Sequence, residues 1–204
     1  MKLQGWAITG SVVVLVIVFL AIHFAVSGWS AASITSGIDA TGRSSLILFS
    51  IAFIASSLHR LWTTPLTTWA LQNRRWIGLS FAGSHFIHLS LILAISLGFP
   101  EPFLSEQSTG KWVFGGLGYL FLLLMALTST NSAQRWMGMK NWKRLHLVGS
   151  YWLWAQFLLT YVEHTKEGPR GFYLPFLAYA PHLHTNPKEN KSSCRHNRSH
   201  YHND

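Results

Sequence analysis

Charge is scarce in this chain. Sixteen lysines and arginines and seven acidic residues make up 11% of 204 residues, against roughly 25% in an ordinary water-facing domain. That shortage excludes a soluble fold over most of the length, because a folded surface in water needs more polar cover than this sequence can give. Cysteine is nearly absent too. Cys194 stands alone, which excludes a disulfide framework and any metal site built on thiolates. Acid is rarer than base, and the net charge is +9. The basic residues, however, sit in short connectors and in the last stretch of chain instead of forming one stripe, which excludes a nucleic-acid partner.

What fills the space is apolar: 49% of the residues are hydrophobic. Runs from Trp6 to about Gly28, Ser44 to Trp62, Trp76 to Gly98, Trp112 to Thr128 and Trp142 to Val162 are each near the roughly 20 residues that cross a bilayer. Gly98 and Pro100 close the third as stop signals. The first exceeds the h-region of a signal peptide and reads as a retained helix. Gly171 to Ala180 is apolar but short, and from His182 the composition is polar and rich in histidine. The expected fold is therefore all-α, a polytopic membrane helix bundle of five spanning helices plus a short or partial sixth. Residues 1–180 form the membrane domain, and 181–204 form a tail without a packed core.

Arg60, Arg74 and Arg75 lie between the second and third runs, and Arg135, Lys140, Lys143 and Arg144 between the fourth and fifth. Asp39, Glu101, Glu106, Glu163 and Glu167 lie at the opposite ends. The basic connectors belong inside, which puts the amino terminus in the cytoplasm.

Chemistry comes from histidine. His23, His85 and His88 fall within spanning runs, where an ionisable side chain is a functional-site candidate by default. A neutral imidazole escapes much of the desolvation cost by coordinating a metal through one ring nitrogen, and haem iron held between helices is one such partner. His85 and His88 share a helix face. His88 and His146 lie on helices of the same direction and can face one another across a bundle, with His88 the deeper of the two by helix rise. The plainer roles are equally definite. His23 hydrogen-bonds a neighbouring helix; His59, beside Arg60, is an interfacial residue or touches a cofactor's propionates; His164, beside Glu163, is solvated at the outer boundary. His182, His184, His196, His200 and His202 match no zinc spacing and read as tail. Gly115, Gly116 and Gly118 lie inside a span and serve close helix packing, not a nucleotide loop.

The order of several fragments carries a resemblance. Thr41-Gly42-Arg43 is followed by Arg74-Arg75-Trp76-Ile77-Gly78-Leu79 and by His88, then by Ala126-Leu127-Thr128-Ser129-Thr130-Asn131, Gly138 and Trp142-Lys143-Arg144-Leu145-His146. In this the chain resembles the ferric-reductase-like transmembrane family, and most closely its bacterial branch MsrQ, the haem-binding membrane partner of a periplasmic methionine-sulfoxide reductase. The resemblance implies that His88 and His146 are ligands of haem iron, and the expectation is that these two imidazoles, from non-adjacent spans, meet one iron. It implies one or two b-type haems and a cytochrome of the bacterial inner membrane that passes electrons to a periplasmic acceptor, either a methionine-sulfoxide reductase partner or ferric iron. The branch carries a further histidine thirteen residues after the one matching His146, where this chain has Leu159; one ligand pair is therefore either lost or rebuilt with His164, His85 or His23. No room remains for a flavin or nicotinamide domain, so the electron donor is a separate quinol or flavoprotein. Arg74, Arg75, Lys143 and Arg144 bind propionates or donor phosphates, or simply anchor the inner face. The rival reading is a haem-less membrane scaffold or transporter component with no redox activity.

Overall fold

The computed structural model describes residues 4–103 and 108–166, and every regular element among them is helical. In chain order these are α1 (Trp6–Ser27), α2 (Ala31–Leu61), α3 (Pro65–Gln72), α4 (Arg74–Gly98), the single turn α5 (Pro100–Phe103), α6 (Thr109–Leu127), α7 (Asn131–Met137) and α8 (Met139–Lys166). Four of them, α1, α2, α4 and α6, are long and apolar enough to cross a membrane. Their outer faces carry bare aliphatic side chains such as Val14, Leu15, Ile17, Ile47, Leu93 and Leu120, far more apolar surface than a protein in water leaves open. The chain is a multi-pass membrane protein. The expected sixth segment and the tail lie outside the described residues.

Each expected run contains a helix, but the second begins earlier than its hydropathy suggests. Ser30 caps α2 by accepting from the Ser33 amide, and the polar stretch that reads as a connector is helical from Ala31. At 31 residues, α2 is about 46 Å long, longer than the roughly 30 Å hydrocarbon layer. Asp39 therefore lies within a helix.

α2 and α4 share the most extensive contact in the bundle. They run antiparallel, as Gly37 against Leu91, Thr41 against His88 and Ser45 against Ser84 show. Small hydroxyl residues make the approach close: Thr41, Ser45, Ser80 and Ser84 are at most 1% exposed. Without a hydrophobic drive between helices in lipid, such small polar residues are what hold them together. α1 leans on α4, where Thr9 donates to the Trp76 carbonyl (3.1 Å) and Trp6 packs on Trp76 (4.9 Å between rings).

α6 and α8 form the second antiparallel pair, and here the glycines matter. A Cβ on Gly118 would run into the Gln156 side chain, whose amide donates to the Phe114 carbonyl (3.1 Å). Gly115 also faces Gln156, whereas Gly116 faces nothing within 4 Å. Replacing Gly118 by alanine is expected to expel Gln156 from that bond and cost about 1 kcal/mol, read as a lower melting temperature in detergent. In a Gln156→Ala background the same replacement should be nearly neutral, and an unchanged cost there would place the clash elsewhere. The two pairs join through an aromatic and aliphatic core of Phe49, Phe81, Leu122 and Leu153, with Phe157 packed against it.

Candidate functional site

His88 projects from α4 onto α2. Its Nδ1 lies 3.0 Å from the Ile38 carbonyl and 3.1 Å from the Thr41 hydroxyl. A carbonyl only accepts, so Nδ1 carries the proton and donates, which leaves the lone pair on Nε2. Thr41 is itself held, its hydroxyl donating to the Gly37 carbonyl at 2.7 Å. An imidazole with one nitrogen tied to a backbone carbonyl and the other free to donate a lone pair is the arrangement of a metal ligand. Gly42 leaves room beside the ring, since a Cβ there would meet His88 Cε1 at 3.4 Å.

His85 sits one turn earlier on α4, its ring stacked on that of His88 (5.0 Å, 12°) and on Tyr119 of α6 (4.9 Å, 21°). Phe157 of α8 closes the group at 5.7 Å. His85 Nδ1 is buried without a hydrogen-bond partner, a polar atom that ordinarily finds one.

His146 lies elsewhere. Its Nε2 is 3.3 Å from the Thr128 hydroxyl at the end of α6, and its ring packs on Trp142 (4.3 Å). Thr128 donates to the Leu124 carbonyl (2.6 Å), so it accepts from His146 and the imidazole lone pair falls on Nδ1. The segment before it is built to hold it. Thr130 caps α7, Asn131 accepts from Arg75 (3.0 Å), Gly138 turns the chain at φ 80° and Trp142 Nε1 donates to the Thr128 carbonyl (3.0 Å). A positive φ of that kind favours glycine.

α6 serves as a ruler between the two histidines. Tyr119 marks the level of His85, and Thr128 marks the level of His146. Those positions are nine residues apart and His88 lies three residues beyond His85, so His88 and His146 differ in depth by about 18 Å at 1.5 Å per residue. The structure does not bring them onto one iron. On α8, Phe157 packs 5.7 Å from the ring of His85, and Leu158 and Leu159 beyond it are exposed.

The remaining candidates stand apart. His59 is at the end of α2 with its Nδ1 3.5 Å from the Thr67 hydroxyl of α3. His23 Nε2 donates to the Ser33 carbonyl (2.9 Å) and ties α1 to the start of α2. The backbone of His164 falls in the last turn of α8, and its side chain lies outside the described residues. Arg74 donates to the Ala52 carbonyl (2.9 Å) and the Ser56 hydroxyl (3.0 Å), and Arg75 lies over Trp76, so both guanidiniums already serve the helix ends. Among the described residues no three His, Cys, Asp or Glu side chains gather as a metal cluster. Sequence reasoning missed Ile38 and Thr41 as the partners of His88, because they fell in an expected connector.

The family model for the ferric reductase like transmembrane component matches residues 41–157, more than half of the 204 residues. The match spans Thr41, His85, His88 and His146. No solved structure matches the chain.

Proposed function

The chain belongs to the ferric-reductase-like transmembrane family, and on that footing we propose that it is a b-type haem cytochrome that carries electrons across a bacterial inner membrane. Membership of the family supports a redox component of the membrane. The observation that carries the finer reading is the fixed tautomer of His88, whose Nδ1 is held by the Ile38 carbonyl at 3.0 Å and whose Nε2 is left as a donor. The donor set supports haem as the group held: His88 and His146 each have one nitrogen engaged on a neighbouring helix and the other carrying the lone pair.

In this proposal the two histidines serve separate irons. Their difference in depth supports it, because a carrier that works across a bilayer needs stations at different depths. Haem, when bound, supplies a reversible one-electron iron couple, and the protein supplies ligands and a low-dielectric surround. Tyr119, Phe81 and Phe157 keep water from the His85–His88 stack. His85 packs beside the ligand, His59 stands at the inner end where a donor arrives, and His164 lies toward the outer end.

α8 is proposed as the fifth span, since its 28 residues reach about 42 Å. The basic connectors around Arg74–Arg75 and Arg135–Arg144 support a cytoplasmic side for those ends and for the amino terminus. A quinol or a flavoprotein donates, and a periplasmic acceptor such as a methionine-sulfoxide reductase or ferric iron receives, as in the MsrQ branch. Purified from haem-replete cells, the full chain is expected to show a Soret band and alpha and beta bands that sharpen on reduction. A colourless, properly inserted protein would instead support the haem-less scaffold.

A further inference from the structure

α8 has two unlike sides. One packs on α6, where Gly149 meets Met125 and Phe121, Leu153 is buried and Gln156 reaches the Phe114 carbonyl. On the other, Leu147, Tyr151, Trp154 and Leu158 are each between 45% and 59% exposed, and Lys140, Lys143 and Arg144 are exposed as well. At about 100° per residue these side chains fall on a single stripe. The stripe changes character along the helix. It opens with three cations at i, i+3 and i+4 spacing, which are neighbours on a helix surface, and continues as aliphatic and aromatic side chains.

Two properties of this stripe point to its occupant. The first is charge. The sequence has no Asp or Glu between Glu106 and Glu163, and among the described residues none of the three cations is in an ion pair. Like charges this close repel until an anion comes between them. The second is length. Leu147 to Leu158 spans about 16 Å by helix rise, which matches one leaflet, half of the roughly 30 Å hydrocarbon core. The far end of the stripe opens into an apolar cleft between α2 and α8, of about 290 Å³, whose wall includes Leu46, Phe49, Phe53, Trp154, Phe157 and Leu158. Trp154 and Leu158 belong to both. A molecule that satisfies the whole face carries an anionic head at the cations and an apolar chain one leaflet long.

We propose that α8 holds an anionic phospholipid, its phosphate between Lys140, Lys143 and Arg144 and one acyl chain laid along Leu147, Tyr151 and Trp154 to end in the cleft beside Leu158. The Arg144 guanidinium offers a fork of donors to phosphate oxygens, and the two lysines act as point charges. The site rests on the reading of α8 as a span and involves no haem.

The test uses the purified full chain in detergent, with phosphatidylglycerol and phosphatidylcholine of identical acyl chains as probes. Native mass spectrometry is expected to show one phosphatidylglycerol retained in preference to phosphatidylcholine, with a rise in thermal unfolding temperature that inorganic phosphate does not reproduce. Lys140→Gln, Lys143→Gln and Arg144→Gln are each expected to weaken that retention about fivefold, and Arg135→Gln, on α7, to leave it unchanged. An equal loss in Arg135→Gln overturns the site in favour of a diffuse basic surface, and equal stabilisation by inorganic phosphate overturns the acyl-chain half. No preference between the two lipids overturns the inference and leaves the cations to an acidic protein surface. Tyr151→Cys, in a Cys194→Ser chain reconstituted in vesicles, separates this failure from that of the span. Protection from a water-soluble maleimide keeps α8 in lipid, so that a missing lipid preference then counts against the site alone, whereas labelling removes the span and the site together.

Discussion

Alanine at position 88 is expected to remove about half of the bound haem, alanine at 146 the other half, and the double variant all of it. The reason is separation. His88 is held from α2 by Ile38 and Thr41, and His146 from the end of α6 by Thr128; they share no partner and differ in depth by about 18 Å. Replacements farther apart than about 10 Å with no common contact act additively. If one iron joined both, either single replacement would bleach the protein and the double variant would lose nothing more. Haem per protein, measured by pyridine haemochrome alongside the Soret band, separates these patterns. Full haem content in His88→Ala would end the ligand assignment at that position. An unchanged spectrum in His146→Ala would leave that imidazole as a hydrogen-bonded strut under Thr128, with one haem in the chain.

Much of this architecture could be read in advance because lipid imposes simple rules. Apolar runs of bilayer length had to be helices, and all five are. The start of α2 was hidden because residues 31–43 are rich in Ser, Gly and Thr, which read as a connector in water but act as close-packing residues between helices. Ser33, Ile34, Gly37 and Thr41 are all buried there. With that stretch misread, the carbonyl and hydroxyl that orient His88 could not be found. α3 and α7 have eight and seven residues, too few for a periodic signal, yet Thr64-Pro65 carries a visible start signal and Thr64 forms a capping box. The depth of His88 relative to His146 was legible from helix rise alone. The missing element was the ruler, the Tyr119 and Thr128 contacts on α6, and no pattern along a single strand of sequence reports which residues of a third helix lie level with two others.

Leucine at Ser84 is expected to be far more damaging than alanine. Ser84 is fully buried, its hydroxyl 3.2 Å from that of Ser44 and 3.1 Å from that of Ser45. Alanine removes these bonds but keeps the close approach of α2 to α4, and hydrogen bonds between membrane helices average only about 0.6 kcal/mol. Leucine must force the helices apart, with an overpacking cost of about 1–3 kcal/mol on top of the lost bonds. The displacement reaches the proposed ligand because His88 lies one turn along α4, and the Ile38 carbonyl that fixes its tautomer lies two turns before Ser45 on α2. Thermal unfolding in detergent and the Soret band should therefore fall together in Ser84→Leu and barely move in Ser84→Ala. Equal losses in the two variants would mean that the hydroxyl contacts, and not the closeness they permit, hold α2 against α4. Normal haem content in a destabilised Ser84→Leu protein would detach the α2 contact from the orientation of His88.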